Sequence, residues 1–213
     1  MDYAALQEKM VAEQLMRRGI NDPRVLDVMR RVPRHEFVPE EFRGLSYADH
    51  PITIGHGQTI SQPYIVALMT QTLELKKEDV VLEIGTGCGY QTAVLAELCR
   101  EVFSIERIAS LAHEAKAVLH KLGYQNIKIK VADGSLGWQE KMAFDAIIVT
   151  AAAPDANTPF PKELKDGGRM VIPIGDRYHQ TLFRFTKKDD RLVSQEVCQC
   201  VFVPLIGQFG WRG

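Results

Sequence analysis

A chain of 213 residues, 46% hydrophobic and 25% charged, is long enough to bury a full core and fits one domain with at most a small appendage. Lys and Arg number 26 against 27 Asp and Glu, and a net charge of -1 excludes the basic field that wraps nucleic acid. The longest apolar run, around AIIVTAAA, is far too short to span a bilayer, and the amino-terminal segment carries acids where a secretory signal would need an apolar core. Cys88, Cys99, Cys198 and Cys200 form no disulfide framework. Cys198 and Cys200 could supply half of a metal site, but no second Cys or His pair stands at ligand spacing. The expectation is a cytoplasmic protein with free thiols, no metal and no membrane partner.

In chain order, YAALQEKMVAEQLMRR predicts a helix ended by Gly19. NDPRVLDVMRRV predicts a second, with Asp22 as cap and Pro23 at the first helical position. The basic clusters Arg17–Arg18 and Arg30–Arg31 with Arg34 read as solvated helix ends. Prolines at 33 and 39 break up the next stretch, and QPYIVALMTQTL has helical spacing. From residue 80 the pattern changes. Strands are predicted at 80–84, 102–105, 127–131, 144–149 and 168–174, with helices near 90–99, 108–122 and 160–165. TLFRFT and RLVSQEVCQCVFV, joined by a polar KKDD turn, predict an antiparallel pair at the end. Alternating strands and helices indicate an α/β fold, a doubly wound and mostly parallel sheet. The expected organisation is one domain, a helical cap over 1–45 and an α/β core over 46–213.

VVLEIGTGCGY is a strand entering a glycine turn that opens a helix, the layout of folds that bind nucleotide-type cofactors at strand carboxyl ends. No Lys follows, so it is not a Walker loop, and Tyr90 stands where the dinucleotide fingerprint has glycine. Glu83 lies inside the strand before Gly85 and Gly87. Glu106 follows the second strand, at the spacing of an acid that accepts from ribose hydroxyls, and Asp133 with Gly134 follows the third. Three acids at adjacent strand ends suit a ligand with ribose, adenine and an ammonium group but no phosphate. S-adenosylmethionine fits that description.

Methyl transfer from a sulfonium is an in-line displacement, and an ionised carboxylate acceptor needs no base. TAAAP, residues 150–154, offers small side chains and none, and lacks the Pro-Pro-aromatic element of enzymes that methylate nucleic-acid amines. Upstream, GHGQTISQPY places Ser61 before an apolar helix. Ser61 reads either as that helix's cap or as a hydroxyl donor to a carboxylate beside free helix amides. Gly55 and Gly57 permit close backbone approach, and His50 and His56 read as surface residues.

GHGQTISQPYIVA, VLEIGTGCGYQTAVLA, FSIERI, VADG, FDAIIVTAAAP, LKDGGRMVIPIG, FVPLIG and the early VPRHEFVP together resemble the protein-L-isoaspartate O-methyltransferase family, over essentially the whole chain. The resemblance implies a class I, Rossmann-like methyltransferase with its last two strands exchanged in order. It implies a repair enzyme that methylates the α-carboxylate of L-isoaspartyl residues in damaged proteins and peptides, and less readily D-aspartyl residues, the ester collapsing to a succinimide. It carries over Ser61 as the active-site serine and Gln58, Thr59 and Ile60 as the segment closing over the cofactor. Glu83, Gly85 and Gly87 become the methionine-side loop, Glu106 the ribose acid, and Asp133 with Gly134 the adenine contacts. Cys88 stands where relatives often carry serine. A monomer is expected. The alternatives are a methyltransferase acting on a hydroxyl or amine with His50, His56 or Asp49 as base, an NAD-dependent oxidoreductase, and a cofactor-sensing module without turnover.

Overall fold

The computed structural model describes residues 1–212. Its first helix, α1 (Tyr3–Met10), is capped by Asp2, runs on through a π turn (Val11–Leu15) and a 3-10 turn (Met16–Arg18), and stops at Gly19 with φ 88°. Helix α2 (Pro23–Arg31) begins as predicted, the Asp22 carboxylate accepting from the Arg24 amide with Pro23 in the first turn. Pro33 and Pro39 then confine the chain to two 3-10 turns, Arg34–Phe37 and Glu40–Leu45.

The glycine-rich stretch is a β-hairpin rather than a loop. Strand β1 (Ile52–Gly55) pairs antiparallel with β2 (Gln58–Ile60) across His56 and Gly57. Both turn residues have positive φ, 53° and 68°, as a two-residue hairpin turn matched to strand twist requires. Helix α3 (Pro63–Thr72) follows.

The α/β core then runs β3 (Val80–Ile84), α4 (Tyr90–Ala96), β4 (Glu101–Glu106), α5 (Ala109–Lys121), β5 (Ile127–Val131), β6 (Phe144–Val149), α6 (Phe160–Glu163), β7 (Leu164–Gly175), β8 (Gln180–Lys188) and β9 (Arg191–Cys200). The seven strands lie in the order β5-β4-β3-β6-β7-β8-β9. The first five are parallel, and β8 and β9 add antiparallel in plain succession, leaving β9 at the edge. Each βαβ crossover returns the chain to the same end of the sheet, so the carboxyl ends of β3, β4, β5 and β6 meet along one rim.

All five residues of β3 are buried, which explains its unbroken apolar run. Val81 faces a cluster built from the cap, α3, α4 and α5, while Val80, Leu82 and Ile84 face a second cluster with Trp138, Phe144 and Phe160. Among the described residues, the helical cover of the second face is the four-residue α6 and a 3-10 turn at Gly134–Leu136. The amino-terminal helices are joined to each other through buried Gln7, whose side-chain amide donates to the Met29 and Val32 carbonyls at 2.9 and 2.8 Å.

At the opposite rim, buried Arg169 on β7 pairs with buried Asp79 and donates to the carbonyls of Leu73, Asp145 and Glu74. Breaking a buried ion pair leaves a charge without compensation. Asp79→Ala should therefore lower unfolding free energy by about 3 kcal/mol, read by urea denaturation. A loss near zero would mean that the carbonyls alone satisfy the guanidinium.

Candidate active site

At the carboxyl end of β3 the chain turns through Gly85 (φ 98°), Gly87 (φ 53°) and Gly89 (φ 90°) before α4 begins. A side chain at Gly85 would be strained at that φ and would also overlap the Thr150 hydroxyl. Instead, the Gly85 amide donates to the Ile105 carbonyl at 2.8 Å, and Thr150 Oγ1 donates to the carbonyls of Ile84 and Gly85 at 2.9 and 2.7 Å. The loop is thus held from β4 on one side and β6 on the other.

This loop forms one wall of a cavity. Gln58, Thr59, Ile60 and Ser61 form another, Glu106 lies at the end of β4, and Gly134 and Ala151 complete the rim. Eight of the ten residues singled out in the sequence therefore meet at one cavity: Gln58, Thr59, Ile60, Ser61, Gly85, Gly87, Glu106 and Gly134. Glu83 and Asp133 are not in its wall.

Glu106 already organises its neighbours. Its carboxylate accepts from the Gly87 amide and the Ile108 amide, both at 2.9 Å, tying the glycine loop to the end of β4. A carboxylate has about four acceptor directions, so capacity toward the cavity remains. Gly134 sits where a Cβ would come within 2.9 Å of Ile84, so close packing across the strand ends demands glycine there.

Asp133 is turned to structural use because a 3-10 turn starts directly after β5. Its Oδ1 accepts from the Ser135 amide and hydroxyl at 2.9 and 2.7 Å, and its Oδ2 accepts from the Gln208 amide at 2.9 Å. It therefore clasps the carboxyl-terminal segment.

Glu83 points from the strand under the loop. Fully buried, it accepts at Oε2 from the Thr92 and Ser104 hydroxyls, both at 2.6 Å, while Oε1 has no partner among the described residues. Burial pushes its carboxyl up to about 8, the two hydroxyls oppose that, and the neighbouring Glu106 charge adds to it. The Ser104 hydroxyl lies 2.6 Å from that of Thr86, so the acid is linked through one more residue to the loop itself.

Ser61 stands between two cavities. It lines the first, and with Thr59, Thr150 and Val203 it also lines a second, bounded by Arg18, Tyr64 and the run from Cys198 to Val203. The expectation that Ser61 caps α3 fails. Gln62 holds the cap position, extended at φ -48° and ψ 139°, because Pro63 forces the residue before it out of helical conformation. The helix thus starts one residue beyond the serine. His50 and His56 line neither cavity, and His56 meets Ser110 at 3.0 Å on the hairpin turn. Asp49 is held by Arg18 at 2.9 Å and by the Gln62 amide at 2.8 Å.

Two parts of the wall were not singled out from spacing. Val203, Pro204, Leu205 and Ile206 line the first cavity because the chain after β9 folds back across the strand ends, the Ala152 amide donating to the Val203 carbonyl and the Leu205 amide to the Ala152 carbonyl. Apolar residues without periodicity carry no signal of that path. Cys88, between Gly87 and Gly89, and Tyr90 and Gln91 after them line the cavity too. Burial raises the Cys88 thiol to about 11, so it remains protonated at neutral pH.

A seven-stranded, mostly parallel sheet ending in antiparallel strands, with a glycine turn after its first core strand, an acid after the next and a cavity across both, is the arrangement of class I methyltransferases. A model of the family described as Protein-L-isoaspartate(D-aspartate) O-methyltransferase matches residues 6–210, and the chain belongs to that family. It is similar to the protein-L-isoaspartate O-methyltransferase of Syntrophus aciditrophicus, 52% identical over 208 residues, which are 96% of this chain and 95% of that one. The protein of the same name from Petrotoga mobilis is 53% identical, covering 99% of this chain and 100% of its own. Among solved structures, a Plasmodium falciparum chain assigned to the same enzyme, in complex with S-adenosyl-L-homocysteine, has a TM-score of 0.81 at 28% identity, covering 97% and 99% of the two chains.

The Glu83 carboxyl is held neutral in the fold up to about pH 8, whereas in the unfolded chain it ionises near 4.5. Between those values the unfolded state has already released the proton, so stability falls as pH rises from about 4.5 through 8 and then levels. Glu83→Gln lacks this loss. Its unfolding free energy minus that of the wild type should rise by a few kcal/mol between pH 5 and 8. Parallel stability curves would show that Glu83 is ionised in place.

Proposed function

We propose that this chain transfers a methyl group from S-adenosylmethionine to the α-carboxylate of L-isoaspartyl residues in damaged proteins and peptides, and less readily to D-aspartyl side chains, starting repair through a succinimide. The observation that carries the mechanism is the position of Ser61 at the meeting of two cavities, one walled by the glycine loop and Glu106, the other opening toward β9.

The residues present fit the cofactor. Bare backbone at Gly85 and Gly87 faces the cavity, and Glu106 keeps acceptor capacity for ribose hydroxyls. When bound, S-adenosylmethionine supplies an electrophilic methyl group on a positively charged sulfur. Gln58, Thr59 and Ile60, on the hairpin opposite the glycine loop, are the segment that covers it and excludes water. Glu83 supports the loop from beneath through Thr92, Ser104 and Thr86. Asp133 and Gly134 shape the far end, Asp133 by holding the carboxyl-terminal segment in place. The second cavity receives the damaged polypeptide, and the Ser61 hydroxyl donates to its carboxylate so that one oxygen is aimed along the transfer path. No proton has to be removed from an ionised carboxylate, which agrees with the small side chains at Ala151, Ala152 and Ala153.

A hydroxyl- or amine-methylating enzyme would need a base, and Asp49, His50 and His56 lie outside both cavity walls. We further read residues 1–213 as one working unit, 1–45 serving as its cap and 46–213 as its α/β core. It acts as a cytoplasmic monomer on polypeptides rather than nucleic acid. The net charge of -1 supports the last point, and among the described residues no helix is long and apolar enough to cross a membrane.

The test uses two peptides of one sequence, one with L-isoaspartate and the other with normal L-aspartate, and cofactor labelled in its methyl group. Label should enter the first peptide alone; entry into neither, with cofactor binding intact, would sink the substrate assignment. Ser61→Ala should keep cofactor affinity within about twofold and lower turnover roughly 100-fold, the cost of losing one well-placed donor. Wild-type turnover in that variant would remove Ser61 from the mechanism.

A further inference from the structure

Arg34 and Arg169 are both buried, and they are satisfied in different ways. Arg169 has the Asp79 carboxylate and three carbonyls. Arg34, wholly inaccessible, has two backbone carbonyls and no carboxylate. Its Nε donates to the Ser46 carbonyl at 2.6 Å, its Nη2 donates to the Ser61 carbonyl at 2.7 Å, and Nη1 has no hydrogen-bond partner among the described residues. Its guanidinium carbon lies 4.8 Å from the centroid of the Tyr90 ring. Read from sequence as a solvated helix end beside Arg30 and Arg31, Arg34 is instead the largest fully buried side chain among the described residues.

Keeping a cation inside a protein costs several kcal/mol, and an apolar residue of similar volume would fill the space without that cost. The guanidinium does what an apolar residue cannot. Its donors are fixed in one plane, so two carbonyls bound by the same fork are set relative to each other. One belongs to Ser46, at the end of the cap, and the other to the candidate catalytic serine. The plane is anchored in turn by Tyr90, the first residue of α4, which lines the cofactor cavity. The Tyr90 ring is itself held edge-on by Phe37 at 5.5 Å and by its hydroxyl contact with the Met29 sulfur. One rigid group therefore registers the Ser61 peptide against the glycine loop.

We propose that Arg34 is a positioning residue for the methyl transfer, fixing the Ser61 backbone so that its hydroxyl meets the acceptor carboxylate in line. This rests on the reading of Ser61 given above. Arg34 lines neither cavity itself and reaches the wall through the Ser61 carbonyl and the Tyr90 ring, so it acts through the serine. Lysine in its place keeps the charge but loses the planar fork, and glutamine loses both.

The experiment is a double-mutant cycle of Arg34→Lys and Ser61→Ala, with Arg34→Gln alongside. Each protein is assayed for S-adenosylmethionine affinity, thermal stability, and kcat and KM on the L-isoaspartyl peptide. We expect Arg34→Lys and Arg34→Gln to bind cofactor within about threefold of wild type while kcat falls roughly 10- to 100-fold, the size of loss that a small misplacement produces. In the Ser61→Ala background the same lysine change should cost less than about threefold, because two residues acting through one contact are not additive. A purely structural role would lower cofactor affinity and activity together, and the loss would persist without the serine hydroxyl. The proposal is overturned by a fully active Arg34→Lys, by additive losses, or by Arg34 variants that do not fold and bind cofactor. If Ser61→Ala turns over like wild type, the serine assignment fails first and this inference with it. That result differs from an impaired Ser61→Ala with additive losses, which removes Arg34 alone.

Discussion

The site depends on one backbone turn. At Gly85 the chain leaves β3 with φ 98°, and its amide and carbonyl are taken up by Ile105 of β4 and the Thr150 side chain after β6. Three adjacent strands are thereby tied at one residue, and only a residue without Cβ can occupy it. From there the order is forced. The loop turns again at Gly87, whose amide locks onto Glu106, and α4 starts with Thr92 placed above Glu83. The cofactor wall, the acid beside it and the support beneath it are consequences of a single positive-φ position.

The electrostatics around this turn follow from burial rather than from pairing. Beneath the loop lies a carboxyl that burial keeps neutral near pH 7, and behind the serine lies a guanidinium with carbonyls in place of a counter-ion. Neither group meets the cavity directly. The guanidinium holds backbone that does, and the carboxyl holds the Ser104 hydroxyl, which reaches Thr86 in the cavity wall. Such an arrangement suits a reaction in which the acceptor brings its own charge, since the protein need only fix geometry and keep water out.

Much of this was legible from sequence, and the parts that were not have physical reasons. β3 and β6 fall where apolar runs bounded by turn residues put them, because strands covered on both faces need nothing else, and the edge strand β5 falls where IKIKV alternates. β7 starts earlier than its apolar run, at Leu164, since exposed Lys165, Asp166 and Gly167 form an irregularity in the pairing with β6, with Gly167 at φ 73°, and carry no burial signal. The hairpin β1–β2 is too short to show alternation, and its turn uses His-Gly rather than the commoner Asn-Gly. Glycines and the cavity-lining acid were readable because backbone freedom and strand-end position leave traces in one dimension. Which way Glu83 and Asp133 point was not, because that is settled by partners far away in sequence, Ser104 for one and Gln208 for the other. Arg34 was misread for the same reason: a buried arginine and a solvated one look alike until the carbonyls around it are known.

The segment from Val203 to Trp211 gives the protein an order of assembly. The sheet, the glycine turn and the hairpin are all complete by Cys200, yet one cavity wall comes from residues made after them, fastened by Asp133, Ser135 and Ala152. Domains fold as they emerge from the ribosome, amino-terminal parts first. A growing chain can therefore possess its whole scaffold while its cavity still lies open along one side. Closure waits until residues 203–211 are laid across the strand ends, so the scaffold and its closed cavity are separate stages of one fold.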